Sequence, residues 1–306
     1  MKNNVLLTGA FDYSEQQLEL LNAVFNVDFL KDEKQAPTNP EKYDAVVCNG
    51  LFLYNPIEKF TNLKFIQLTS AGLDRVPLDY IKEHNISLCN ARGVYSAPMA
   101  EWVILKILEI YKNSFVLYEN QKNKQWIKER QLLELTDKKV LIIGAGSIGS
   151  EIAKRLKAFD CRVTGLDIYE AKSPYFDEIL LMDKLDKILP TQDIVILTLP
   201  LTEETRNLFN KDKFDLMKNE SVLVNVSRGG VLCERDLIDA VHKGKFRGVA
   251  LDVFENEPLV ESSPLWDLEN VIVTPHNSFV GDKVKERMFD VISGNLKQFY
   301  EEGKSI

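Results

Sequence analysis

Between Lys139 and Asp167 the chain reads KVLIIGAGSIGSEIAKRLKAFDCRVTGLD, an order of residues that few folds accommodate. Val140-Leu141-Ile142-Ile143 is a continuous apolar run ending at Gly144, the pattern of a strand buried on both faces of a parallel sheet. A turn follows at Gly144-Ala145-Gly146-Ser147-Ile148-Gly149. Ile148, Ile152, Ala153, Leu156 and Phe159 then recur at helical spacing, and Cys161 to Leu166 predicts a second strand ending at Asp167. Gly144 permits a tight turn, Gly146 lets the backbone come close to a pyrophosphate, and Gly149 lets the helix pack on the strand. The helix N-terminus adds open N–H groups and a partial positive charge. Asp167 falls where a carboxylate accepts hydrogen bonds from adenosine ribose hydroxyls. A 2′-phosphate about 4 Å away would be repelled by about 1 to 4 kcal/mol, so the motif predicts NAD in preference to NADP.

At 306 residues, 45% hydrophobic and 27% charged, the chain has core enough for two domains of ordinary size. A net charge of −8 argues against a general affinity for nucleic acid or acidic membranes. No run of 18 apolar residues is present, and MKNNVLLTGAFDYSEQQ breaks into turn and acid before a signal-peptide core forms, so a cytoplasmic protein is expected. Cys48, Cys89, Cys161 and Cys233 lie far apart, without metal or redox spacing, and are expected to be buried reduced thiols.

Ahead of the glycine motif, Val5 to Leu7, Tyr43 to Cys48, Lys64 to Leu68 and Ile86 to Cys89 are short apolar runs, with an amphipathic helix over Glu15 to Phe25. Strands alternating with helices predict a parallel sheet. Thr69-Ser70-Ala71-Gly72-Leu73-Asp74 follows one strand end and can offer N–H groups to an anion, or be a plain turn. Leu51 to Tyr54 reads as an apolar loop. From Ser96, with Pro98 near the start, a long helix is expected to run on towards Trp126 and to bridge two units. Beyond Asp167, strands are predicted at Ile179 to Met182, Ile194 to Leu199, Ser221 to Val226, Gly248 to Val253 and Val271 to Thr274. Helices are marked by Leu185 to Leu189, Lys211 to Met217 and Glu234 to Val241, and a closing helix by Val280 to Phe299.

Three ionisable residues stand just past strand ends, where parallel sheets bind ligands: Arg228 before Gly229-Gly230, Glu257 closing ALDVFENEP, and His276 after VIVTP. Arg, Glu and His in such places suit a carboxylate clamp and an acid–base pair. His84 and His242 read as surface residues.

The set SRGG, LDVFENEP and TPH downstream of GAGSIG resembles the D-isomer-specific 2-hydroxyacid dehydrogenases, and SAGLD, NARGVYSAPMAEW, TLPLTEETRNL and SPLWDLENVIVTPH look like the same family's blocks in its order. The resemblance implies two doubly wound parallel-sheet domains: a Rossmann NAD-binding domain at 97–278 inserted into a smaller flavodoxin-like substrate domain at 1–96 and 279–306. It implies NAD(H)-dependent conversion between a 2-oxo acid and a D-2-hydroxy acid. Arg228 would grip the substrate carboxylate, His276 would be the acid–base residue and Glu257 its orienting partner. Around the cofactor it implies Gly144, Gly146, Ser147, Ile148 and Gly149 at the pyrophosphate, Asp167 at the ribose, and Leu199, Pro200, Val226 and Asp252 towards the nicotinamide. Ser70, Ala71 and Gly72 would contact the substrate carboxylate.

A homodimer through the bridging helix is expected by analogy, with no metal, nucleic acid or membrane partner, and closure about hinges near Ala97 and Phe279. His276 is followed here by Asn277-Ser278-Phe279, where many family members carry small residues or tryptophan. Phosphoglycerate, glyoxylate, hydroxypyruvate and longer alkyl 2-oxo acids all stay open. So do a dinucleotide-sensing corepressor and a formate or phosphite oxidase within the same family.

Overall fold

Alternating apolar runs and amphipathic helices assemble into two wholly parallel sheets, of five and seven strands. The computed structural model describes residues 2–169 and 173–302; residues 303–306 of the closing segment lie outside the described residues. The chain divides into two compact units, 1–95 with 281–306 and 96–280, so it passes between them at Tyr95–Ser96 and at Val280–Gly281.

In the smaller unit the strands are β1 (Asn4–Thr8), β2 (Asn26–Leu30), β3 (Ala45–Cys48), β4 (Phe65–Leu68) and β5 (Ser87–Cys89), in the order β2-β1-β3-β4-β5. This is the flavodoxin-like order. Alternate strand residues serve opposite faces. Val5, Leu7, Val47 and Phe65 pack with Met288, Ile292 and Leu296. Leu6, Val46, Ile66 and Leu68 pack with Leu51, Ile57 and Phe60 on the other side. The helices are α1 (Glu15–Val24), capped by a Ser14–Gln17 box, α2 (Leu51–Tyr54) and α3 (Leu78–Glu83). Leu51 to Tyr54, expected as a loop, thus forms one helical turn, because buried Leu51 anchors it to the core. β2 carries no continuous apolar run and was not foreseen; it is an edge strand paired only with β1, and its exposed alternation needs little hydrophobicity.

The larger unit opens with α4 (Ser96–Tyr111), whose stripe Met99, Ala100, Val103, Ile104, Ile107 and Tyr111 is buried. The expected single helix to Trp126 is two helices. Asn113 takes the left-handed conformation at φ 48°, which Asn tolerates better than most residues, and α5 (Ser114–Lys122) starts after it. Trp126 lies beyond both.

The sheet follows as β6 (Lys139–Ile143), β7 (Arg162–Asp167), β8 (Glu178–Leu181), β9 (Ile194–Leu197), β10 (Ser221–Asn225), β11 (Phe246–Leu251) and β12 (Val271–Val273). Its helices are α6 (Ser147–Lys157), α7 (Leu185–Ile188), α8 (Lys211–Leu216) and α9 (Glu234–His242). α6 packs against both β6 and α4. Phe159, expected on α6, falls past its end and is exposed. The strand order β8-β7-β6-β9-β10-β11-β12 is the Rossmann order extended by one strand, and its switch point lies between β6 and β9. The last helix, α10 (Val284–Glu302), belongs to the smaller unit, where Arg287 Nε donates to the Val94 carbonyl and Asn295 Nδ2 to Gln67 Oε1.

Candidate active site

At the switch point the glycine turn has the geometry its spacing predicts. Gly144 has φ 103°, a conformation open chiefly to glycine. A side-chain carbon on Gly149 would stand 2.1 Å from the Gly144 carbonyl oxygen, so helix and strand meet there only because none is present. One on Gly146 would meet nothing within 4 Å, which leaves the approach to this stretch of backbone open. Gly146 also caps α6 without a side-chain hydrogen bond, leaving the N–H groups at Ser147 and Ile148 to an outside acceptor. Thr198 Oγ1 donates to the Gly144 carbonyl at 2.7 Å, so Leu199 and Pro200 leave β9 beside the turn. Asp167 accepts the N–H groups of Ala145 at 2.8 Å and Ile168 at 2.7 Å. It therefore steadies the turn, and a carboxylate with about four acceptor sites has room for ribose hydroxyls besides. These residues fit a dinucleotide.

Arg228, Glu257 and His276 follow β10, β11 and β12, three neighbouring strands of this sheet. Glu257 Oε2 lies 2.7 Å from His276 Nδ1, and Glu257 Oε1 accepts the Phe254 N–H at 3.1 Å. The carboxylate is thereby aimed from both ends, and its bond fixes the proton on Nδ1, which leaves Nε2 for chemistry. His276 is about a third exposed and has φ 49°, an unusual backbone for a non-glycine residue. The loop around it imposes that conformation. His276 N–H reaches the Thr274 carbonyl, while fully buried Asp252 accepts the Thr274 hydroxyl at 2.6 Å and the N–H groups of Asn277 and Ser278 at 3.0 and 2.9 Å. The Phe279 ring meets the His276 ring edge to face at 5.9 Å.

The Arg228 loop is held in a similar way. Asn225, fully buried at the end of β10, accepts the Ser227 N–H and hydroxyl and donates to the Arg228 carbonyl. Arg228 Nη1 donates to the Ser227 carbonyl at 2.9 Å, and Val226 is buried just before it. Gly229 presses on the neighbouring loop so closely that a side-chain carbon would lie 1.8 Å from the Phe254 carbonyl carbon. The loops after β10 and β11 are thus in backbone contact.

Ser70, Ala71 and Gly72 belong to the other unit, at the end of β4. Ser70 Oγ donates to the Gly72 carbonyl and Asn90 Nδ2 to that of Ala71, bonds that hold the loop open. Among the described residues, the N–H groups of Ala71 and Gly72 meet no acceptor. Cys48, Cys89 and Cys161 are buried free thiols, whereas Cys233 is only partly buried because it caps α9 at the surface.

The organisers Asn225 and Thr274 were not singled out in the sequence. Each sits one to three residues from a residue that was, and a buried polar side chain at a strand end was the signal available.

The family model for the D-isomer specific 2-hydroxyacid dehydrogenase NAD binding domain matches residues 104–278. The chain is 32% identical to a hydroxypyruvate reductase of Blautia hydrogenotrophica over 79% of this chain and 77% of that one. It is 33% identical to a glyoxylate/hydroxypyruvate reductase of Arabidopsis thaliana over 82% of this chain and 79% of that one. A solved structure of a D-isomer specific 2-hydroxyacid dehydrogenase family protein from Aeromonas salmonicida aligns with a TM-score of 0.82 at 29% identity, covering 99% of this chain and 97% of the other. Among the described residues no helix is long and apolar enough to cross a membrane, and no group of three or more His, Cys, Asp or Glu is placed to hold a metal ion. A Rossmann sheet with an open glycine turn at its switch point, a family model matching more than half the chain, and relatives aligned over most of their own length lead to one statement: this chain belongs to the D-isomer specific 2-hydroxyacid dehydrogenases, NAD-binding oxidoreductases.

Proposed function

We propose that the chain interconverts a 2-oxo acid and a D-2-hydroxy acid with NAD(H), using His276 as acid and base, Glu257 to orient it, and Arg228 to hold the substrate carboxylate. The observation that carries this reading is the 2.7 Å contact between Glu257 Oε2 and His276 Nδ1 at neighbouring strand ends. The nicotinamide supplies or accepts the hydride. The chain's own work is to manage charge and geometry. Reduction of a 2-oxo acid builds negative charge on the carbonyl oxygen, and a proton from His276 Nε2 quenches it. Glu257 accepts the Nδ1–H hydrogen bond through that step and so holds the ring with Nε2 towards the reacting oxygen. Arg228 offers a planar fork that matches a carboxylate through two parallel bonds, which Lys could not reproduce.

Supporting parts are assigned by the same reasoning. Asp167 favours NAD, since its carboxylate suits ribose hydroxyls and repels a 2′-phosphate. Ser147, Ile148 and the glycine turn take the pyrophosphate; Leu199, Pro200, Val226 and Asp252 border the nicotinamide. Asp252 spends about three of its four acceptor sites on the His276 loop, so it positions that loop as well. The smaller unit serves substrate binding, with the N–H groups of Ser70, Ala71 and Gly72 suited to a carboxylate. Relatives named for glyoxylate and hydroxypyruvate make those two acids the first substrates to try. A homodimer in the cytoplasm completes the proposal, formed through the exposed apolar side chains of Phe115, Val116, Tyr118, Trp126 and Ile127.

The test is NADH oxidation with a panel of 2-oxo acids. H276A is expected to lose about 10² to 10⁴ in kcat, as for a general acid, while R228A loses mainly substrate capture, seen as a raised KM. D167S should narrow the preference for NADH over NADPH. A wild-type enzyme that already favours NADPH contradicts the role given to Asp167.

A further inference from the structure

The loop that carries Glu257 is fastened from behind by two carboxylates that the reaction itself does not use. Glu255 Oε1 accepts the Glu234 N–H at 2.9 Å, and Glu234 Oε1 accepts the Glu255 N–H at 2.5 Å. The exchange is reciprocal, and each half has a reason. Glu234 is the first residue of α9, whose N-cap, Cys233, makes no side-chain cap bond, so its N–H is one of the orphan donors of a helix start. Glu255 caps that donor from another loop. In return, Glu234 takes hold of the Phe254–Glu255 peptide.

That peptide is where the site's two loops meet. Gly229, next to Arg228, presses on it: a side-chain carbon there would stand 1.8 Å from the Phe254 carbonyl carbon and 2.3 Å from the Glu255 nitrogen. One bond along the chain, the Phe254 N–H holds Glu257 Oε1, and Glu257 Oε2 holds His276 Nδ1. A sequence of fixed groups therefore runs from α9 to the imidazole: Glu234 carboxylate, Glu255 N–H, Phe254 N–H, Glu257, His276.

We infer that Glu234, with Glu255, is a positioning residue for the acid–base pair, locking the Phe254–Glu255 peptide so that Glu257 faces His276. This rests on the function proposed for Glu257 and His276. Burial pushes the Glu234 carboxyl up from its ordinary value, against the pull of the Glu255 N–H and with the negative charges of Glu255 and Glu257 adding to the rise. What the clamp needs from Glu234 is accordingly an acceptor oxygen, and a neutral amide supplies one.

The experiment compares E234A, E234Q and E255A with wild type in the full chain. E234A is expected to lower kcat about tenfold with NADH affinity within about twofold of wild type, the range expected when a reacting group is misplaced by a fraction of an ångström. E234Q, which keeps the acceptor, is expected to recover most of the loss. The downfield Nδ1–H resonance of His276 reports its bond to Glu257 without turnover; it should shift or broaden in E234A and stay in place in E234Q.

E234A within twofold of wild type in kcat, or E234Q as slow as E234A, overturns the inference. Should E234A fail to fold, E255A reads the same clamp through an exposed side chain; a kcat and a resonance like those of wild type overturn it equally. If instead H276A and E257Q retain full activity, the proposed function falls, and the resonance still decides whether the clamp holds the pair.

Discussion

Two glycines only eighty or so positions apart are expected to fail in opposite ways when given a methyl group. Gly146 has φ −70°, which any residue adopts, and open space where a side chain would go. G146A should therefore keep the stability of wild type and bind NADH about tenfold more weakly, roughly 1.4 kcal/mol, because the methyl stands where the pyrophosphate approaches. Gly229 has no such room. G229A must displace the Phe254–Glu255 peptide and is expected to destabilise the protein by about 2 kcal/mol or more, read as a fall in the denaturation midpoint, with loss of turnover. Binding isotherms and urea melts of both variants check the contrast; a G146A that melts like G229A contradicts it. The sequence exposed the first case, since GAGSIG is a motif with assigned roles. It concealed much of the second: the close approach of Gly229 to residue 254 depends on how two distant loops pack, and no local spacing encodes that.

Elements with a single dominant driving force were the easiest to read. Buried strands such as Val140 to Ile143 and Ile194 to Leu197 announce themselves as apolar runs because a parallel sheet covers both faces. β2 escaped notice since an edge strand needs only half that burial, and the break after α4 escaped because one left-handed Asn interrupts a pattern that is otherwise helical on both sides. The loops that carry Arg228, Glu257 and His276 were legible as places, at strand ends, but the bonds that shape them come from buried Asn225, which holds Ser227 and Arg228, and from Asp252 and Thr274, which meet across 22 positions of the chain.

A prediction also belongs to this scale. Asp193 pins the start of β6 and the approach to β10, accepting the Lys139 N–H at 2.9 Å and Lys218 Nζ at 2.6 Å. Burial alone would raise its carboxyl, but the Lys218 and Lys139 bonds outweigh burial and hold it below the ordinary value. With the folded pKa below the unfolded value of about 3.9, the stabilisation is present above pH ~4 and is lost as pH falls through the folded pKa. D193N should be less stable than wild type at neutral pH, and the two should converge in acid. A constant gap from pH 7 down to pH ~2 contradicts this linkage.

For the molecule as a whole, the fold order, the two-unit division and family membership account for the cofactor, while the proposed homodimer turns on one surface. Trp126 is 95% exposed and shares the segment after α4 with exposed Phe115, Tyr118 and Ile127. In the proposed homodimer a second copy of the chain would cover these side chains. Light scattering on the eluting protein should give the mass of a dimer, and W126D a shift towards monomer; a wild-type monomer contradicts the assembly. The most direct test of the account is turnover itself. With hydroxypyruvate or glyoxylate and saturating NADH, wild type should oxidise NADH, while H276A binds NADH with wild-type affinity and turns over at least about a hundredfold more slowly. NADH oxidation by H276A at a rate near that of wild type would contradict the claim that this imidazole moves the proton.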